Sequence, residues 1–127
     1  MKRVDKKIAI ALKEIGYVVP CDGYFFAKSE SNDCIGSMIR SSNYNSGGSL
    51  ISAPYPHEVV EWLDSKGLHV FQDAHWLGGE LVYTLKIIND RHERYEDGNK
   101  SYPSRTAAIE AGVDKAIEIY KQRNPQQ

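Results

Sequence analysis

Residues 68–87 read Leu68-His69-Val70-Phe71-Gln72-Asp73-Ala74-His75-Trp76-Leu77-Gly78-Gly79-Glu80-Leu81-Val82-Tyr83-Thr84-Leu85-Lys86-Ile87. Leu81, Tyr83, Leu85 and Ile87 alternate with Val82, Thr84 and Lys86, the period of a strand buried on one side. Leu68 to Phe71 is a second extended run, and Gly78-Gly79 supplies a turn, so the stretch predicts a hairpin. Asn89-Asp90 breaks the second strand, Arg91 to Glu96 is a candidate third strand, and Asp97-Gly98-Asn99 is a further turn.

Helical periodicity flanks this hairpin. Upstream, Pro56 suits a first helical turn, where its missing N–H costs nothing. Val59, Val60 and Leu63, with Trp62 as a further member, then form an apolar face over 56–66, and Gly67 closes it. Downstream, Ile109, Val113, Ala116, Ile117 and Tyr120 recur at helical spacing over 104–122, with Ser101 or Ser104 as the cap. Gly112 interrupts this helix at a cost of about 1 kcal/mol relative to Ala; close approach to the sheet would explain it.

The first part of the chain is less regular. Val4, Ile8, Leu12 and Ile15 predict a helix over 4–15, with Asp5 at its positive end and Gly16 as its stop. Tyr17 to Val19 reads as a strand ended by Pro20, Asp22-Gly23 as a hairpin-type turn, and Tyr24 to Ala27 as a second short strand. Residues 29–49 differ: 13 of the 21 are Ser, Asn or Gly. Structureless segments this long are uncommon inside compact domains. Ile35, Met38 and Ile39 are its candidate anchors, and Asn45-Ser46-Gly47-Gly48 its candidate loose tip. Leu50 to Ala53 is extended into Pro54.

Together these readings give one α+β domain over 1–127: an antiparallel sheet with helices packed on one face, and a polar loop at about 29–49. The other face is left for water or a partner. A chain of 127 residues has the natural size of one domain. Its 16 basic and 17 acidic groups argue against a strongly basic nucleic-acid binder. No run reaches the about 20 apolar residues needed to cross a bilayer. The basic residues Lys2, Arg3, Lys6 and Lys7 are not followed by an unbroken apolar stretch of the signal-peptide kind. The expectation is a cytoplasmic protein with no membrane partner. Cys21 and Cys34 lack CxxC spacing, so two reduced thiols, one of them buried, are expected.

Chemistry-bearing residues are few. His57, His69, His75 and His92 form no HExxH or comparable pattern, and no metal or other cofactor is expected. Asp73, His75 and Glu80 flank the Gly78-Gly79 turn, and a bend at Asp73-Ala74 would bring the first two together. Carboxylates beside histidines are the raw material of acid–base catalysis, so Asp73, His75 and His92 define the second alternative, a small metal-dependent or acid–base hydrolase. No GxSxG, phosphate loop or cysteine-nucleophile signature occurs, and no catalytic residue is assigned. The order helix, hairpin, third strand, helix from His57 to Tyr120 matches the coarse order of a double-stranded-RNA-binding domain. Such domains carry a basic cluster at the start of the last helix; here only Lys100 and Arg105 lie nearby. Lys86, Arg91, Arg94 and Lys100, with Tyr95 and Tyr102, remain a candidate nucleic-acid strip. Trp62 is expected in the core, and Trp76 with Leu77 at a partner surface.

Several segments resemble a known group. They are Leu50-Ile51-Ser52-Ala53-Pro54, Val60-Glu61-Trp62-Leu63, Leu68-His69-Val70, Tyr102-Pro103-Ser104 and Ala107-Ala108-Ile109-Glu110-Ala111-Gly112, together with the opening helix, Gly16-Tyr17 and Pro20-Cys21. This pattern is similar to small uncharacterised proteins of Bacteroidetes genomes and their prophages. The resemblance implies a phage or mobile-element accessory protein and carries no activity. The uncovered sheet face and the hairpin around Trp76 give the leading expectation, a non-catalytic binding module, homodimeric or bound to another protein. Its candidate contact residues are Asp73, His75, Trp76, Lys86, Arg91, Arg94 and Tyr95. Weak nucleic-acid binding is the alternative.

Overall fold

The computed structural model describes residues 2–36, 41–96 and 100–123. Helix α1 (Lys6–Glu14) is capped by Asp5, whose carboxylate accepts the Ile8 N–H at 3.0 Å. Strands β1 (Gly23–Phe26), β2 (Ile35–Gly36) and β3 (Leu50–Ser52) form a small antiparallel sheet in the order β2-β1-β3. Helix α2 (Pro56–Ser65) follows; Glu58 accepts the Tyr55 N–H at 2.9 Å and closes its first turn. Strands β4 (Leu68–Leu77), β5 (Glu80–Asn89) and β6 (Arg94–Glu96) make a second antiparallel sheet, and α3 (Arg105–Arg123) ends the described chain. Ser104 caps α3 by accepting the Ala107 N–H at 3.1 Å.

The fold class is the expected α+β. The strands, however, divide into two three-stranded sheets rather than one. Helices α2 and α3 cover one face of the β4-β5-β6 sheet, while α1 joins β3 to α3. One core runs through both parts: Leu12, Phe25 and Ile51 share it with Val59, Leu63, Leu68, Ile87 and Val113. Trp62 stands in it between Tyr17, 5.3 Å away, and Tyr120, 5.6 Å away. Gly112 lies so near β4 that a Cβ there would sit 2.6 Å from Val70 Cγ1. This is the close approach that the interrupted helix pattern implied.

Three local expectations are corrected. Residues 17–19 form no strand; Tyr17 is buried against Trp62, and the backbone pairing comes later, at a Cys21–Ser42 bridge. Asp22-Gly23 makes no hairpin turn, because Gly23 already belongs to β1. Asp73-Ala74 makes no bend, because β4 pairs with β5 residue for residue from Leu68↔Asn89 to Leu77↔Glu80.

The polar segment is fastened by side chains distant in sequence. Lys6 is buried, and its Nζ donates to the Ser29 and Ser31 carbonyls at 2.6 and 3.1 Å. Lys13 Nζ donates to the carbonyls of Gly47 and Leu50 at 2.7 and 3.0 Å. Asn45 lies in a short 3-10 turn, Tyr44–Ser46. Its Nδ2 donates to the Tyr17 carbonyl at 2.9 Å and its Oδ1 accepts the Ser52 N–H at 2.9 Å, so this end of the expected tip is anchored. Ile35 lies in β2 but its side chain is exposed, so it is not the expected anchor; Met38, Ile39 and the Asp97-Gly98-Asn99 turn lie outside the described residues. Cys21 is buried and Cys34 exposed, both as free thiols.

Candidate interaction surface

The β4–β5 hairpin changes character along its length. At its base Leu68 and Val70 on β4, and Leu85 and Ile87 on β5, are buried beneath the helices. Beyond Phe71 that cover stops: residues 73–81 are all exposed. Gly78 and Gly79, at φ 60° and 85°, supply the left-handed pair that a two-residue hairpin turn requires. Apolar side chains nevertheless continue to the tip. Trp76 is 75 % exposed, Leu77 63 %, Phe71 49 % and Leu81 41 %.

Strand alternation assigns these side chains to two faces. Val70, Gln72, Ala74 and Trp76 share the helix-side face with Leu81, Tyr83, Leu85 and Ile87. His69, Phe71, Asp73, His75 and Leu77 share the open face with Val82, Thr84, Lys86 and Ile88, and β6 adds Arg94 and Glu96. Across that open face Lys86 sits between two carboxylates, 3.5 Å from Asp73 and 3.9 Å from Glu96. His75 Nε2 meets Thr84 Oγ1 at 3.2 Å.

The expected nucleic-acid strip is assembled only in part: Lys86 and Lys100 line one cleft, together with Glu96 and Asp73. Lys86 is already committed to acids, and Arg91 sits in the β5–β6 turn beside Asp90 and Glu93. Arg94 is exposed on the open face, but Tyr95 faces the other way, alongside Ile87 and against the core. Tyr102 is likewise packed against the core and pairs with Tyr83. At the start of α3, Arg105 lies over the Tyr83 ring at 5.6 Å.

Nor do the histidines assemble. His69 Nδ1 meets Asp64 at 2.9 Å and its Nε2 meets Asp90 at 3.1 Å. Hydrogen bonds to Asp90 and Asp64 hold its pKa above the ordinary imidazole range. With both ring nitrogens turned to carboxylates, His69 offers no lone pair to a substrate or metal. It clamps the end of α2 and the β5–β6 turn to the base of β4. His92 lies in that turn with a left-handed φ of 65°. His57 stacks on Tyr55 at 5.8 Å. Among the described residues no group of three or more His, Cys, Asp or Glu is placed to hold a metal ion. A cleft of about 470 Å³ beside α3, lined in part by Tyr95, Tyr102, Asp114, Lys115 and Glu118, brings together charges of both signs but no nucleophile with a base.

No protein-family model, curated protein or solved structure matches this chain.

Two features of the surface escaped the sequence reading. The His69 clamp depends on Asp64 and Asp90, whose proximity is a product of tertiary folding. The exposure of Phe71 and Leu81 is the other: Phe71 stands on the open face, and Leu81 on the helix-side face beyond the reach of the helices. No helix among the described residues is long and apolar enough to cross a membrane.

Proposed function

We propose that this protein is a non-catalytic interaction module that engages a protein partner through the projecting β4–β5 hairpin. The observation that carries this reading is the run of exposed apolar side chains, Phe71, Trp76, Leu77 and Leu81, on a hairpin that the helices leave uncovered. Exposed aromatics on a defined scaffold are the usual anchors of protein interfaces. Asp73, Lys86 and Glu96 beside them provide a polar rim. Nucleic acid is the weaker partner, because the Lys86 charge is already neutralised and the tip itself carries no cation. The resemblance to small prophage proteins is in keeping with an accessory role and names no reaction.

A photo-crosslinking residue tests the proposal. Placed at Leu81 and irradiated in cells, it is expected to give a discrete protein adduct that Trp76→Ser removes. The same residue at Glu118, exposed on α3, is the control. Equal labelling from both positions overturns the reading.

A further inference from the structure

We propose that the hairpin's partner is a second copy of this chain, joined edge to edge through β4 about a two-fold axis at Ala74. The inference rests on the interaction-module reading and names its occupant.

Strand β4 is the outer strand of the β4-β5-β6 sheet. Backbone pairing shows which of its groups face outward. On β5, Tyr83 exchanges both backbone hydrogen bonds with Tyr102, at 2.9 and 2.7 Å. Its N–H and C=O therefore point away from Ala74, its β4 neighbour. In an antiparallel ladder hydrogen-bonded and non-bonded pairs alternate. Ala74 and, two residues to either side, Gln72 and Trp76 thus turn their N–H and C=O groups to the free edge. No described residue bonds to them there. The edge has no proline, no lysine and no bulge across ten residues of continuous register, and Asp73 is its one carboxylate.

A strand pairing antiparallel with its own copy in one sheet must keep each face on its own side, so only even shifts of register are allowed. Five such registers place the axis between Gln72 and Trp76, and they differ sharply. Centring on Trp76 sets His75 against the partner's Leu77 and pairs only three residues a side before the strand ends. Centring on Gln72 sets Phe71 against the partner's Asp73 and stacks two glutamines. Centring on Asp73 opposes two like carboxylates and places Phe71 against the partner's His75. Centring on His75 opposes two imidazoles and sets Asp73 against the partner's Leu77. Centring on Ala74 alone opposes acid to imidazole and apolar to apolar along the open face. Asp73 then faces the partner's His75, Phe71 faces the partner's Leu77, and Gln72 faces the partner's Trp76, each twice by symmetry. The smallest side chain of the stretch lies on the axis. The segment Phe71-Gln72-Asp73-Ala74-His75-Trp76-Leu77 is thus complementary to itself read backwards. It spans the part of β4 that has lost its helical cover. Three hydrogen-bonded pairs form in this register, giving a continuous six-stranded sheet with an isologous two-fold interface. Seven residues a side fall short of a standard interface, so dissociation on the order of tens of micromolar is expected.

Cysteine scanning reads the register directly. In a Cys34→Ser background, Ala74→Cys places two thiols on a hydrogen-bonded pair with Cα atoms about 5.5 Å apart, within disulfide range. Mild oxidation is expected to cross-link Ala74→Cys, whereas Gln72→Cys and Asp73→Cys stay monomeric. Light scattering of the unmodified chain over a concentration series is expected to show a monomer–dimer equilibrium. Asp73→His and His75→Asp, each creating two like pairs, weaken that equilibrium about tenfold, and the double swap restores it. Cross-linking at 72 or 73 instead of 74 overturns this register. A monomer at every concentration, with no cross-link at 74, overturns the dimer. If the Leu81 probe still captures a foreign protein in that case, the interaction-module reading stands without the dimer; if it captures nothing, both fall.

Discussion

Replacing Gly112 with alanine poses two opposed effects in one methyl group. In an isolated helix the change is favourable by about 1 kcal/mol, because glycine loses more backbone freedom on folding. In this fold the new Cβ meets Val70 Cγ1 at 2.6 Å, well inside van der Waals contact. Val70 is only 7 % exposed, and as a β-branched residue has few rotamers to escape into. Overpacking of this kind costs about 1–3 kcal/mol. A net loss of about 1 kcal/mol is expected for Gly112→Ala. Val70→Ala alone should cost about 2 kcal/mol, from lost burial and the space left behind. With both changes the obstructing methyl is gone, since Val70 Cβ lies 4.0 Å from the new atom. Gly112→Ala should then stabilise the Val70→Ala variant by about 1 kcal/mol, a reversal of sign and a coupling of about 2 kcal/mol. Urea unfolding of the four proteins measures this, provided the m-values agree. A change of the same sign in both backgrounds would refute the argument that the helix was kept close to the sheet by its glycine.

The other expectations are simpler. Asn45→Ala strands the Tyr17 carbonyl and the Ser52 N–H, and should cost about 1–3 kcal/mol in urea unfolding. His92→Gly relieves a left-handed backbone and should raise stability by about 1 kcal/mol, seen as a higher Tm. His69 is held above its ordinary pKa by Asp90 and Asp64, so its clamp contributes fully below the unfolded value of about 6.5 and is lost as pH rises through the folded value. Thermal unfolding from acid to mildly alkaline pH should therefore show a decline that His69→Gln flattens. Its size should not exceed about 1 kcal/mol, because the pair is partly exposed and screened.

What the sequence made legible was what repeats locally. The alternation from Leu81 to Ile87 and the helical spacing from Ile109 to Tyr120 each report their own element, and Gly112 stood out against the second. Strand β4 beyond Phe71 was harder to read, since its helix-side residues Ala74 and Trp76 are as exposed as its open-face residues and leave no alternation. Its length was fixed by pairing with β5. The division into two sheets was hidden for another reason. Lys6 and Lys13 looked like the solvent side of a helix, yet they bind carbonyls 23 to 37 residues away. The candidate contact residues were half legible. Trp76 and its neighbours came from the turn, whereas Tyr95 faced inward because β6 starts at Arg94 and its register sets Tyr95 beside Ile87.

The two tryptophans mark the two ends of this molecule's behaviour. Trp62 sits in the aromatic cluster where the first part of the chain meets α2 and α3, and Trp76 stands in water. Their fluorescence is therefore separable without labels. The bluer emission of Trp62 follows cohesion of the interior, and the redder emission of Trp76 follows whatever settles on the hairpin, so one spectrum distinguishes a protein that has come apart from one that has been occupied.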